Sequence, residues 1–183
     1  MAVSTIILGI DPGTNIMGYG LIRTGEKEPV LVDFGCVEMQ QFHDYYEKLR
    51  CIFDHTLQLV DTYKPIALAI ESQFYGNNVQ SMLKLGRAQG AAISAALYRS
   101  VPIFEYAPRK IKQAITGYGN ASKEQIAAFL QKIMKFDTIP DKLDATDGLA
   151  VALCHYYQQG KTIAPGKYKG WSEYIRKNPD RLA

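Results

Sequence analysis

The chain has 183 residues, enough for one domain with a full core, and its 47% hydrophobic and 21% charged residues are ordinary for a globular protein. No apolar run approaches the roughly 18 to 20 residues of a membrane span, which predicts a protein without a membrane anchor. The three cysteines are scattered, which predicts a cytoplasmic protein without a disulfide framework or a zinc site. The net charge is only +3, yet residues 108–135 and 160–183 are locally basic, which is typical of a polyanion partner or of solvated helix faces.

The first half of the chain predicts four strands and one helix. Short runs of β-branched and apolar residues, separated by turn residues, predict three successive strands and therefore an antiparallel meander. A segment with apolar residues at helical spacing follows, and then a wholly apolar run that favours a central strand. The predicted ranges are 4–10, 17–24 and 30–39 for the meander, 44–63 for the helix and 66–70 for the fourth strand.

The second half predicts a long helix over 77–99, a fifth strand over 102–106 and three more helices over 108–116, 122–135 and 141–158. Small and apolar side chains cover most of the first of these helices, which indicates burial on two sides, by the sheet and by a second subunit. The order βββ-α-β-α-β-α-α-α predicts an α/β protein with an RNase H-like fold: a five-stranded mixed sheet, three antiparallel then parallel strands, with helices on both faces.

The predicted domain spans residues 1–158, and no repeat or second domain is visible. Residues 159–183 contain Gly, Pro, lysines and the aromatic residues Tyr168, Trp171 and Tyr174, without helical or strand periodicity. They are predicted to form a basic C-terminal tail. Added DNA contacts, a contact to a second subunit or partner, and simple disorder all remain open for it.

Four carboxylates stand at positions that such a sheet brings together. Asp11 follows the first strand, Glu71 ends the fourth, and Asp144 and Asp147 share one face near the start of the last helix. Oxygen ligands of this kind suit Mg²⁺, and two such ions activate water and stabilise a leaving oxygen in phosphodiester hydrolysis. Singly, each acid has an ordinary explanation as a turn residue, a strand end or a helix-dipole partner. All four together predict a metal-dependent endonuclease.

The blocks around these acids resemble RuvC-type Holliday-junction resolvases. The similarity spans about residues 5–158 in the family's order, and the segments between the acids match as well as the acids do. The matching blocks are Ile10-Asp11-Pro12-Gly13 with Gly18-Tyr19-Gly20, Ile70-Glu71-Ser72-Gln73-Phe74, residues 84–90 (KLGRAQG), residues 106–113 (YAPRKIKQ), residues 117–123 (GYGNASK) and residues 144–150 (DATDGLA).

The resemblance implies a homodimer that binds four-way DNA junctions and nicks two strands of like polarity symmetrically. It also implies one or two Mg²⁺ ions per subunit, with Mn²⁺ as a substitute, and a branch-migration complex of the RuvA and RuvB type as partner. Segment 86–96 is then the expected subunit interface. Basic residues expected to contact DNA near the cut are Lys112 and Lys123, whose charges would also serve catalysis; Arg109 and Lys110 are weaker backbone contacts, and Phe74 is expected to stack on unpaired bases.

Three alternatives remain at this stage. Asp11-Pro12-Gly13-Thr14 is similar to the phosphate loop of certain kinases and ATPases, but those proteins need two such domains and a second loop, for which the chain is too short. A junction-binding module that does not cut would show affinity independent of Mg²⁺. A nuclease of the same fold with another substrate, such as an RNA–DNA hybrid, would be separated by comparing cleavage of the two substrates. The three histidines, His43, His55 and His155, are expected in surface or core positions rather than in catalysis.

Overall fold

A computed structural model describes residues 4–25, 28–73 and 78–159 of the chain. Ten elements follow one another in the predicted order, and their ends differ from the predicted ones by at most a few residues. They are β1 (Thr5–Asp11), β2 (Ile16–Thr24), β3 (Val30–Glu38), α1 (Tyr45–Tyr63), β4 (Ala67–Glu71), α2 (Val79–Tyr98), β5 (Ile103–Tyr106), α3 (Pro108–Thr116), α4 (Lys123–Met134) and α5 (Asp144–Gln159).

The five strands form one mixed sheet in the order β3-β2-β1-β4-β5. β1 pairs antiparallel with β2, and β2 with β3, while β4 is parallel to both β1 and β5. The prediction of three antiparallel strands followed by parallel ones is therefore confirmed. β1 and β4 are central, and their buried aliphatic side chains point alternately to the two faces of the sheet.

Helices cover both faces, and each face has its own core. On one face, α1 and α2 pack on β1, β2 and β4 through a cluster that includes Ile52, Leu68 and Ile70. On the other, α3, α4 and α5 pack on the same strands through a cluster that includes Ile111, Leu130 and Leu149. The predicted two-layered coverage of the sheet is thus confirmed.

The ends of the elements follow from local chemistry. Asp44 accepts a hydrogen bond from the backbone of Tyr46 and begins α1. Ser122 and Gln125 form the predicted capping box at the start of α4, which fixes the position of Lys123 as the first helical residue. α5 begins at Asp144, three residues later than predicted, because residues 141–143 form a turn whose carbonyls accept from the first amides of the helix.

Helix α2 is covered on one side only within this chain. Ala88, Ala92 and Ala96 are fully buried in the cluster that α2 forms with α1 and the sheet. On the opposite side, a Cβ added at Gly86 or Gly90 would meet nothing within 4 Å. The expected second burial of this helix therefore requires another chain. Among the described residues, none of the helices has both the length and the apolar character needed to cross a membrane.

Two predictions concern residues beyond the described ranges. Phe74 lies between the end of β4 and the start of α2, outside the described residues. The same is true of the predicted basic tail, apart from Gln159, which is the last residue of α5.

Candidate active site

Asp11 and Glu71 lie side by side at the ends of neighbouring strands. β1 and β4 are parallel, and Ile10 is in register with Ile70, so the next residue of each strand is an acid at the same edge of the sheet. The preceding residues are fully buried aliphatics, which leave the acids as the first polar groups beyond the core. The parallel register therefore explains why a motif at residue 11 and another at residue 71 form one site.

Asp144 and Asp147 reach this edge because α5 approaches the sheet at backbone distance. A Cβ added at Gly18 would lie 1.9 Å from the carbonyl oxygen of Asp144, and one added at Gly20 would lie 2.3 Å from the Cα of Leu149. From the helix side, a Cβ at Gly148 would lie 2.5 Å from the Cα of Tyr19. Because no side chain separates helix from strands here, the first turn of α5 is held directly against β2.

Three of the four acids converge on one point. Asp11, Asp144 and Asp147 each offer a carboxylate oxygen, and these oxygens lie within 4.8 Å of one another. Glu71 shares with Asp11 and Asp147 the wall of a cavity of ≈ 250 Å³. The geometry thus places all four predicted acids at one site, with a compact group of three and Glu71 beside it.

Two lysines line the same cavity. Lys123 lies 3.4 Å from Asp144 Oδ1 and 2.5 Å from Asp147 Oδ2 through its Nζ atom. Lys112 donates from Nζ to the carbonyl oxygen of Ala121 at 2.9 Å. The site therefore combines four acids, which suit a bound cation, with two amines, which suit a bound phosphate.

The pKa values of Asp11, Glu71 and Asp147 are raised because the site is buried and crowded with negative charge. Burial, followed by the charges of Glu71 and Asp147, holds the pKa of Asp11 well above its usual range. Burial and the charge of Asp147 raise the pKa of Glu71 to about 7, and burial also raises the pKa of Asp147 in spite of Lys123. Burial lowers the pKa of Lys123, but its hydrogen bond to Asp147 and the surrounding acids outweigh burial and raise it.

Burial is the first cause of the raised pKa values, and the two amines do not offset it together with the mutual repulsion of the acids. A divalent cation would, since it favours the ionised carboxylates and prefers oxygen ligands. The donor set of Asp11, Glu71, Asp144 and Asp147 therefore fits a hard cation such as Mg²⁺. Clusters of perturbed acids in a cavity are also typical of catalytic sites.

The remaining predicted residues are placed less centrally. Arg109 and Lys110 are exposed on the first turn of α3 and do not line the cavity; the side chain of Arg109 packs beside Gly119, and Lys110 Nζ lies 5.2 Å from the centre of the Tyr106 ring. His155 is buried, with Nδ1 2.7 Å from the Tyr106 hydroxyl, which agrees with its expected core position.

Two contacts that support the site went unpredicted. Gln89 of α2 donates from Nε2 to the carbonyl oxygen of Glu71 at 3.2 Å and to Glu105 at 3.1 Å. Lys142 forms an ion pair with Glu38 at the end of β3, two residues before Asp144. A glutamine next to the small residues in the middle of α2 was a usable signal for the first contact. No local pattern predicts the second, because it joins residues 104 positions apart along the chain.

The RNase H-like sheet, with a cluster of carboxylates at the ends of β1 and β4, is typical of one class of proteins, the nucleases of that fold. The comparisons with known proteins narrow the class. The family model described as Crossover junction endodeoxyribonuclease RuvC matches residues 7–155. The chain therefore belongs to the RuvC family of crossover junction endodeoxyribonucleases.

Individual relatives agree over nearly the whole length. The chain is 54% identical over 180 residues to the crossover junction endodeoxyribonuclease RuvC of Cytophaga hutchinsonii, covering 98% of this chain and 89% of that protein. It is 52% identical over 177 residues to the protein of the same description from Christiangramia forsetii, covering 97% and 92%.

A solved structure extends the agreement to three dimensions. T. thermophilus RuvC in complex with Holliday junction substrate superposes with a TM-score of 0.77 at 30% identity, covering 85% of this chain and 96% of that one. The yeast mitochondrial Holliday junction resolvase Ydc2, at 16% identity and a TM-score of 0.60, shares the fold.

Proposed function

We propose that this protein is a structure-selective endonuclease that resolves four-way DNA junctions in recombination and repair by nicking two strands of like polarity. Membership of the RuvC family supports the reaction, and the relative solved with a Holliday junction supports the substrate. The observation that carries the proposal is the convergence of Asp11, Asp144 and Asp147 within 4.8 Å, with Glu71 lining the adjoining cavity.

In this proposal the four carboxylates hold one or two Mg²⁺ ions, which Mn²⁺ can replace. A bound divalent cation would supply charge neutralisation at the phosphate and lower the pKa of an attacking water. The protein contributes the rest. Strand ends and the first turn of α5 fix the carboxylates in advance, so that little reorganisation accompanies the reaction.

Lys112 and Lys123 receive the substrate phosphate at the mouth of the cavity. The carbonyl of Ala121 holds the Lys112 amine in place, and the acids hold Lys123 fully protonated. Both ammonium groups can neutralise charge that develops on the phosphate in the transition state. Arg109 and Lys110 are proposed as contacts to the DNA backbone farther from the cut, and Phe74 as an aromatic contact to unpaired bases.

We further propose a homodimer with helix α2 in the interface. On the uncovered side of α2, Leu83 is 51% exposed, Leu97 is 55% exposed, and Gly86 and Gly90 leave room for a close approach. A two-fold dimer presents two identical sites to a junction that is itself nearly two-fold symmetric. Cytoplasmic localisation and cooperation with a branch-migration complex of the RuvA and RuvB type complete the proposal, and both rest on the family.

The decisive experiment is cleavage of a labelled synthetic four-way junction by the wild type and by Asp11→Asn, each with Mg²⁺ and with EDTA. Paired symmetric nicks are expected only from the wild type with Mg²⁺, while Asp11→Asn keeps its affinity for the junction. Asp54→Asn, an exposed acid on α1, is the matched control and should cut normally. Cutting by Asp11→Asn would contradict the site, and cutting of an RNA–DNA hybrid in preference to the junction would contradict the substrate.

The lysines give a second prediction. Lys112→Ala and Lys123→Ala should each reduce cutting and lower the slope of log affinity against log salt by about 1, because each removes one phosphate contact. Filter binding over a range of salt concentrations measures that slope in EDTA. Lys84→Ala, an exposed lysine on α2, serves as the control for general loss of positive charge, and an equal fall in its slope would contradict a local role.

A further inference from the structure

The loop between α3 and α4, residues 117–122, carries an aromatic side chain that the proposed reaction leaves without a role. Tyr118 is 61% exposed. A single exposed aromatic side chain is common on protein surfaces, so its exposure alone does not indicate a partner. Its surroundings indicate which partner.

The loop is rigidly built around this residue. The Thr116 hydroxyl accepts from the Tyr118 amide at 3.1 Å, and the same hydroxyl lies 3.0 Å from the Tyr118 carbonyl and 2.9 Å from the carbonyl of Lys112. Gly117 adopts a left-handed conformation (φ 77°) that turns the chain out of α3. The backbone of Tyr118 is therefore held in place before any ligand arrives, which lowers the entropy lost on binding.

The two active-site lysines enclose this loop. Lys112 donates to the carbonyl of Ala121, and the amide of Ala121 donates to the carbonyl of Tyr118 at 3.3 Å, so one short turn links the Lys112 amine to Tyr118. Lys123 begins the next helix one residue after the loop ends. A four-residue turn keeps its ends within about 7 Å, so Tyr118 lies within about three nucleotides of a phosphate held by the lysines, at 3.4 Å per nucleotide along one strand.

The charge around the loop also favours a polyanion. Residues 117–122 contain no acidic side chain, and Arg109 packs against the loop at Gly119. Aromatic rings next to cationic side chains are the usual means by which proteins bind a nucleic-acid strand, since every base and sugar offers a face for packing. A peptide partner would not require the flanking row of cations.

We propose that Tyr118 is a nucleotide-contacting residue whose ring packs on a base or sugar of the strand that Lys112 and Lys123 hold for cutting. The contact positions that strand over the carboxylates and adds to the affinity for the junction. This inference rests on the proposed function, because it requires a DNA strand in the cavity. It assigns the loop between α3 and α4 to substrate positioning.

The test measures the affinity of wild type, Tyr118→Ala, Tyr118→Phe and Tyr118→Leu for a labelled four-way junction in EDTA, where no cutting occurs. Tyr118→Ala and Tyr118→Leu should bind about 5-fold or more weakly, whereas Tyr118→Phe should bind like the wild type, since the ring supplies the contact. Tyr46→Ala is the matched control: Tyr46 is 70% exposed at the start of α1. Its affinity should not change.

A second readout separates a contact from a support of the loop. Junctions that carry 5-iodouracil at single positions within about three nucleotides of the cut should photocrosslink to Tyr118 in the wild type. The crosslink should be weaker in Tyr118→Phe and absent in Tyr118→Ala. Melting temperatures should match in all variants. Equal affinity of Tyr118→Ala and wild type, or no crosslink at Tyr118, would overturn the inference; absence of junction binding by the wild type itself would instead overturn the proposed function.

Discussion

The two faces of the sheet are built in different ways. On the face that carries α1 and α2, bulky side chains of the strands and of α1, such as Leu8, Ile52 and Ile70, lie between the backbones, together with small alanines of α2. Toward the start of α5, glycines on both sides bring the backbones into direct contact. The first face is an ordinary hydrophobic core, in which side-chain volume can be redistributed at modest cost.

The contact at the start of α5 cannot adjust in this way, because its backbone atoms meet with no side chain between them to repack. The same contacts carry Asp144 and Asp147, so the spacing of the carboxylates is determined by the distance between two backbones. The comparison teaches that the backbone spacing is most tightly constrained where the proposed metal ligands lie. It also predicts opposite responses of the two faces to the same substitution.

The largest effect is expected for Gly148→Ala on α5. The added methyl group would lie 2.5 Å from the Cα and the backbone nitrogen of Tyr19, and neither atom can move aside. The free energy of unfolding should fall by about 3 kcal/mol or more, with loss of cutting. Urea unfolding measures the first and the junction assay the second. The comparison would fail if the variant were as stable and as active as the wild type.

Glu71→Gln tests the electrostatic side of the same face. The pKa of Glu71 is raised from 4.5 to about 7 in the fold, so the folded state keeps a proton that the unfolded chain releases as the pH rises from 4.5 to 7. The stability that this bound proton gives the folded state is fully present below pH 4.5 and is lost as the pH rises through 7. Removing the charge should therefore stabilise the metal-free protein at pH 8 by at most about 3 kcal/mol, while abolishing cutting.

Unfolding in EDTA at pH 8 and at pH 5 measures this gain, most of which should disappear at the lower pH. Glu47→Gln, an exposed acid on α1, is the control and should show no gain that depends on pH. At pH 8, Mg²⁺ should raise the melting temperature of the wild type more than that of Glu71→Gln. A Glu71→Gln protein less stable than the wild type at pH 8 would contradict the raised pKa.

The smallest effect is expected for Gly90→Ala on α2, the same substitution in the other region. A Cβ at this position meets nothing within 4 Å, and alanine favours a helix over glycine by about 0.5–1 kcal/mol. The monomer should therefore become slightly more stable, whereas the proposed dimer should weaken because the methyl group stands in its interface. Sedimentation at several concentrations separates the two effects. A dimer of unchanged strength would place the interface elsewhere.

Much of this structure could be predicted from the sequence, because its signals are local. Apolar runs that end in Asp11 and Glu71 predicted adjacent strand ends, and the three-residue spacing of Asp144 and Asp147 placed them on one helix face. The capping box at Ser122 likewise predicted the start of α4 and hence the place of Lys123.

What the sequence could not supply is the distance between elements that are remote along the chain. Gly18-Tyr19-Gly20 was visible as a motif, but only the structure shows that these glycines admit the backbone of α5. The hydrogen bond from Gln89 to the carbonyl of Glu71 depends on how α2 lies over the sheet, which periodicity does not determine. The sequence predicted burial of α2 on two sides, but one side is open within the described chain, because small residues suit a buried and an open face alike.

The backbone contact between β2 and α5 has a consequence for the order of events during synthesis. Asp11 leaves the ribosome more than a hundred residues before Asp147, and loop closure over such a distance comes late in folding. A nascent chain with β1 to β5 complete has two acids at the sheet edge but lacks the other two. The proposed set of four carboxylates is therefore complete only once α5 has emerged and docked, so that unfinished chains lack the proposed site.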